Sequence, residues 1–305
     1  IERYRKAVAL LKQALAIDPE FDRAWRSLAV IYGNMHARFG AFTDTEVYAL
    51  QLDALEKALE INPENASTHT SLGSLEHNLS KAAQHFSNAL ALDPYNDAVL
   101  NNSALFLFFL GRYDEAIAVY RYQLTLNPLN ELALSNLGNA SLSAGYPDQV
   151  ISAGETILEI HPESAWVRFN MGSAYLLKGQ AEKALEVFRQ EPIEQHRLLG
   201  EVMAYQAMEQ LDASNFAYEE LVQKYGQENI FLVACAMAYR NEADLVFAVL
   251  ETEVHNHNKK RLTGLIASPL FERIHGDPRW TLLLEKNNML PANLDAIDFE
   301  VSLPE

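Results

Sequence analysis

Apolar residues recur along most of this chain at spacings of three and four, the period of an amphipathic helix. The runs are cut at regular places by Asp, Asn or His followed by proline: Asp18-Pro19, Asn62-Pro63, Asp93-Pro94, Asn127-Pro128 and His161-Pro162. Successive prolines stand 44, 31, 34 and 34 residues apart. Proline cannot continue a helix and drives the residue before it into extended backbone, so each phrase predicts a helix end. Two residues after four of these prolines come Asn65, Asn96, Asn130 and Ser164, predicted to cap the helix that follows. Between phrases, Gly111, Gly145 and Gly179 are placed to end a first helix in the left-handed conformation that glycine adopts without steric cost. Asn241 stands where a further such glycine would be usual, and Asn tolerates that conformation.

Each unit therefore reads as two helices, and a period near 34 predicts a solenoid of stacked helical pairs. Small residues keep the step: Ala29, Gly73, Ala104, Gly138 and Gly172. On the second helices Ala14, Ala58 and Ala89 lie five residues before the proline, with the large Leu11, Leu55, Phe86 and Tyr120 three residues before that Ala or its counterpart. Small against large lets paired helices approach closely and fill the gaps between them. With "AWRSLAVIY" (24–32) and "VRFNMGSAY" (167–175), this unit resembles the tetratricopeptide repeat. The resemblance implies an all-α, right-handed superhelical solenoid of helical hairpins.

Residues 1–192 read as a half repeat followed by five repeats. The unit at 22–63 carries a ten-residue insertion near "ARFGAFTDTE", and the unit at 66–94 lacks three residues at its internal turn. Residues 193–260 read as degenerate helical pairs, 261–290 as capping helices, and 291–305 as an irregular acidic tail whose alternating "IDFEVSL" could lie extended against a groove. Because residues 1–19 supply only a second helix, the chain is expected to be a piece of a longer one. Pro269-Leu270, the Gly276-Asp277-Pro278-Arg279-Trp280 turn and Leu282-Leu283-Leu284 are similar to the C-terminal end of tetratricopeptide regions in bacterial multidomain regulators, which follow winged-helix or nucleotide-cyclase-type domains.

Charge and composition narrow the function. With 41 acidic and 24 basic side chains the net charge is −17, which repels phosphate backbones and argues against direct nucleic-acid binding. Uninterrupted apolar runs such as "ALFLFFL" are far short of a membrane span. One cysteine, Cys235, excludes an intrachain disulfide and fits a reducing or an oxidising compartment alike; the resemblance implies bacterial cytoplasm or periplasm. No phosphate-binding glycine loop or HExxH occurs. His255-Asn256-His257 has metal-like spacing, but its polar surroundings read as a solvated loop. No metal, cofactor or catalytic residue is expected, and Cys235, set among apolar residues, reads as core.

The candidate site is a row of asparagines. Asn102, Asn136 and Asn170 stand 34 apart on successive first helices, with Ser27 and Ser71 in the earlier units. An amide offers both a donor and an acceptor, suited to holding the backbone of an extended peptide. The resemblance implies the same, since inner-face asparagines do this in the O-linked N-acetylglucosamine transferases. The other reading is a polar residue merely tolerated on an exposed helix face. Beside the row lie Asn101, Leu105, Phe108, Phe109, Asn139, Leu142, Trp166, Phe169, Ser173 and Leu176, either pockets for ligand side chains or contacts between units. The Lys and Arg set with which other tetratricopeptide domains hold a C-terminal carboxylate is missing. A non-catalytic module binding a peptide or protein is expected. A substrate-recruiting region of an enzyme whose catalytic domain lies elsewhere, and a homo-oligomerising module, are the rival readings.

Overall fold

The computed structural model describes residues 1–256 and 268–304. The described residues form helices joined by turns and loops and contain no strand. In chain order the helices are α1 (Glu2–Ile17), α2 (Asp22–Phe39), α3 (Asp44–Ile61), α4 (Ala66–Leu75), α5 (Leu79–Leu92), α6 (Asp97–Phe109), α7 (Tyr113–Leu126), α8 (Glu131–Ser143) and α9 (Pro147–Ile160). They continue as α10 (Val167–Leu177), α11 (Ala181–Phe188), α12 (Glu194–Ala207), α13 (Leu211–Tyr225), α14 (Ile230–Tyr239) and α15 (Ala243–Asn256). A 3-10 helix, η1 (Pro269–Ile274), α16 (Pro278–Lys286) and the short α17 (Pro291–Asp295) complete the order. The protein is an all-α solenoid of tetratricopeptide-type hairpins. Of the His255-Asn256-His257 motif, His257 lies outside the described residues.

The proline phrases end helices as their chemistry dictates. Asp18, Asn62, Asp93, Asn127 and His161 all leave the helix with φ between −131° and −148°. The side chains of Asn65, Asn96 and Asn130 then accept backbone N–H groups of the next first turn, from Thr68, Val99 and Ala133. Gly111, Gly145 and Gly179 have φ of 77°, 76° and 69°, and Asn241 takes the same conformation at 61°. Glu209 does so too, at 59°, without a residue type that announces it. The insertion is largely absorbed into helix length, since α2 and α3 each run 18 residues, and Thr43 and Glu46 form a reciprocal capping box at the restart.

The chain divides into two compact units, residues 1–103 with 297–305, and residues 104–296, so the division falls inside α6 rather than between repeats. In the first unit Leu15, Leu28, Tyr32, Leu55 and Leu72 form the core. Gly73 of α4 faces the Phe86 ring, where an added methyl would meet carbon at 3.0 Å. In the second unit Gly172 faces Phe188 in the same way, with the methyl at 2.5 Å. Gly138, at the same repeat position, has open space in front of it, so small size there is not a packing requirement.

The Gly276–Trp280 turn and its neighbours have structural work. Asp277 caps α16 by accepting from the Arg279 backbone N–H at 2.9 Å. Hydrogen bonding to Arg279 also holds its carboxyl down at about 2. Arg279 lies over the Phe247 ring and pairs with Asp244 at 2.8 Å. Trp280 stacks with Phe271 and with His275, and Phe271, Ile274, Trp280 and Leu284 are buried in the same core as α14. The segment expected to be irregular contains α17, and from Asp298 to Pro304 it has no helix or strand.

Candidate functional site

In the second unit an open groove of about 490 Å³ runs along the first helices of successive hairpins. Leu105 and Phe108 of α6, Asn136, Asn139 and Leu142 of α8, Phe169 and Asn170 of α10, Leu199 of α12 and Phe231 of α14 all face it. Successive first helices share a face because the hairpins repeat, which is why the 34-residue step brings these side chains together. None of the described lining residues is ionised, in a chain of net charge −17. The surface is mostly carbon, interrupted by amides and hydroxyls.

Trp166 stands out among the lining residues. It is 48% exposed, and its backbone is left-handed with φ of 70°, an uncommon conformation for a residue with a bulky side chain. The cause lies in how α10 begins. Ser164, predicted as the cap, instead donates its hydroxyl to Glu131, and no local side chain caps the helix. Glu191 does so from 25 residues away. Its carboxylate accepts the N–H groups of Trp166 at 3.2 Å, Phe169 at 3.3 Å and Ile193 at 3.3 Å, and the residue is 1% exposed. Phe169 is the third residue of its helix, where an ordinary cap would act, and Ile193 is the residue just before α12. One buried carboxylate thus serves the positive ends of two helices. This contact fixes Trp166 in place, and its ring lies against Phe169 and His196.

His196 is 2% exposed, neither ring nitrogen forms a hydrogen bond, and burial pulls its imidazole down to about 4. It is a neutral packing residue behind Trp166. On the groove floor, burial pushes the Cys235 thiol up to about 12, which keeps it protonated and unreactive at neutral pH. The Tyr120 hydroxyl, raised by burial as well, forms no hydrogen bond.

The asparagines differ from one another. Asn102 belongs to the first unit; its amide donates to its own helix at Ala98 O, 2.7 Å, and its oxygen accepts from Ser74. Asn170 donates to Asn139 Oδ1 at 2.7 Å, so these two form a joined pair on the groove wall, with Asn136 beside them. Asn101 and Ser173 are buried, Ser173 donating to Phe169 O, while Phe109 and Leu176 are partly covered and outside the groove lining. The earlier counterparts Ser27 and Ser71 return their hydroxyls to their own helices. Three contributors escaped the sequence reading. Glu191 gave no signal; Asn229, which caps α14 and donates to Gln195, and Phe231 beside it were findable from an Asn preceding an apolar run.

Stacked helical hairpins with an inner groove define a helical repeat protein. Residues 74–128 and 153–186 each match a tetratricopeptide repeat model, and this is a tetratricopeptide-repeat protein. Solved structures of similar fold include a tetratricopeptide repeat protein from Parabacteroides merdae, at 19% identity over 79% of this chain and 98% of that one, TM-score 0.57. PilW, a widely conserved type IV pilus biogenesis factor, is 20% identical over 67% and 93%, TM-score 0.57. Yeast Tom70 is 16% identical over 93% and 62%, TM-score 0.54. No curated protein sequence matches the chain. Among the described residues no helix is long and apolar enough to cross a membrane, and no cluster of three or more potential metal ligands occurs.

Proposed function

We infer that the chain is a protein–protein interaction module whose second unit binds an extended, uncharged segment of a partner protein. The observation that carries this reading is a groove whose described lining is uncharged, with an exposed Trp166 of fixed backbone and the Asn136, Asn139 and Asn170 amides on its wall. Extended peptides need main-chain hydrogen bonds for affinity and apolar pockets for selection, and this surface offers both. An anchored aromatic loses little rotamer freedom on binding, which favours Trp166 as a hot spot. The described lining, mostly carbon interrupted by amides and hydroxyls, supports a binding role.

The finer placement, as the sensory or scaffolding end of a larger bacterial regulator, rests on the Gly276–Trp280 turn and its neighbours. The test of the binding role is an array of neutral 12-residue peptides containing aromatic residues, followed by titration of any hit. Trp166→Ala should weaken binding by about 10- to 100-fold. Replacing Asn136, Asn139 and Asn170 together by Ala should cost about 10- to 1,000-fold, at roughly 0.5–1.5 kcal/mol for each hydrogen bond lost. Hits that bind both variants as tightly as the parent would move the site elsewhere.

A further inference from the structure

Residues 297–304 follow the second unit in sequence yet belong to the first. Their burial alternates. Ile297, Phe299, Val301 and Leu303 are covered wholly or in part, while Asp298, Glu300 and Ser302 are exposed. A period of two in a segment outside helix and sheet is the signature of extended chain laid along a surface. Phe299 is the deepest of these side chains, at 1% exposure, and its ring packs at a tilt against Phe86 with centres 6.4 Å apart. Phe86 is the large residue of α5 that packs in front of Gly73, so the α4–α5 hairpin carries the contact. An apolar residue at every second position, acids turned to solvent and one buried aromatic anchor make the pattern of a docked peptide ligand rather than of a further helical repeat.

We propose that the first unit holds a peptide-docking site centred on Phe86, whose resident ligand is the chain's own segment 297–304. The site selects an extended sequence with apolar side chains at alternate positions and phenylalanine at the anchor; Asp298 and Glu300 keep the segment soluble when it is released. Tethering makes the occupant hard to displace. With an effective concentration of ~1 mM, an intrinsic Kd near ~10 μM is masked about 100-fold against an added competitor. The first unit's site is therefore closed by default, and a partner reaches it only with a better sequence or when the segment is withdrawn.

The experiment uses a fluorescein-labelled peptide of residues 296–304, titrated by anisotropy against the full chain and against a full-length variant carrying Phe299→Asp and Val301→Asp. The variant should bind the peptide, the parent should bind it about 100-fold more weakly, and a peptide with Phe299→Ala should lose about 10- to 100-fold. A helical variant that ignores the peptide, or a parent that binds it equally well, overturns the proposal. Should the variant fail to fold, a protease site inserted after Asp295 gives a second reading on otherwise native chain. With the cleaved protein held well above ~10 μM, the released segment should stay associated with the body in equilibrium dialysis and be chased off by excess peptide. Immediate separation from a body of unchanged helicity overturns the proposal as well.

Discussion

Replacing Glu191 with Ala should be among the most damaging single changes available to the second unit, although the residue lies outside every helix. Its carboxylate accepts three backbone N–H groups at 3.2–3.3 Å, two at the start of α10 and one just before α12. Hydrogen bonds to a charged group contribute roughly 1.5–3 kcal/mol at good geometry, and these are on the long side, so about 1 kcal/mol each is a fair figure. Truncation also strands these donors, while relieving the cost of burying the charge. The balance is a destabilisation of about 2–4 kcal/mol, and Glu191→Gln, keeping the shape and one acceptor oxygen, should lose about half of that. Urea denaturation followed by circular dichroism measures both. Ser164→Ala is the matched control: as a cap it would cost about 1 kcal/mol, but its hydroxyl donates instead to the half-exposed Glu131 carboxylate and the change should stay within about 0.5. If Ser164→Ala destabilises more than Glu191→Ala, the assignment of the cap is wrong.

Three further outcomes follow from the same geometry. Gly172→Ala forces a methyl against the fully buried Phe188 and should cost about 1–3 kcal/mol, whereas Gly138→Ala meets open space and should stabilise by about 0.5–1, both read from urea midpoints. His196 has a folded-state pKa depressed to about 4 against an ordinary value near 6.5. The unfolded chain therefore takes up the proton first, stability falls as pH drops from about 6.5 to about 4, and the loss approaches about 3 kcal/mol. His196→Leu should flatten that stretch of the stability profile, and an unchanged slope would refute the assignment. Peptide binding in the groove should change less than about 2-fold between 50 and 500 mM salt, because screening acts on charges and the described lining residues carry none; a steep salt dependence by calorimetry would place binding on the acidic surface instead.

What the sequence made legible was local. A proline ends the helix before it and an asparagine caps the helix two residues on, so the Asn62-Pro63 and Asn127-Pro128 phrases yielded their helix boundaries. The turn glycines announced their left-handed backbone for the same reason. The 34-residue step also put Asn136 and Asn170 along one groove with Asn139. What stayed hidden depends on partners far away in the chain. Ser164 has the right chemistry and spacing for a cap, yet Glu191 took the role because its carboxylate reaches two helix starts together. Spacing likewise gave Asn102 its position but not its amide's direction, which a nearby backbone carbonyl and Ser74 decided. Glu209 shows the converse, since a turn fixed by the repeat on both sides imposes left-handed backbone on a residue that does not prefer it.

The membership of residues 297–304 in the first unit sets an order of events in folding. A helical repeat is built from neighbours and can propagate from wherever it nucleates, so most of its structure forms quickly from local contacts. The Phe86–Phe299 pair is of the opposite kind, closing a loop that contains the whole of the second unit. Until residue 299 has been made, Phe86 has no such partner, and the hairpin that carries it must wait with an apolar face uncovered. Completion of the first unit is then a late step reporting that everything between has been synthesised, and a chain stalled inside the second unit would present that face to chaperones and proteases.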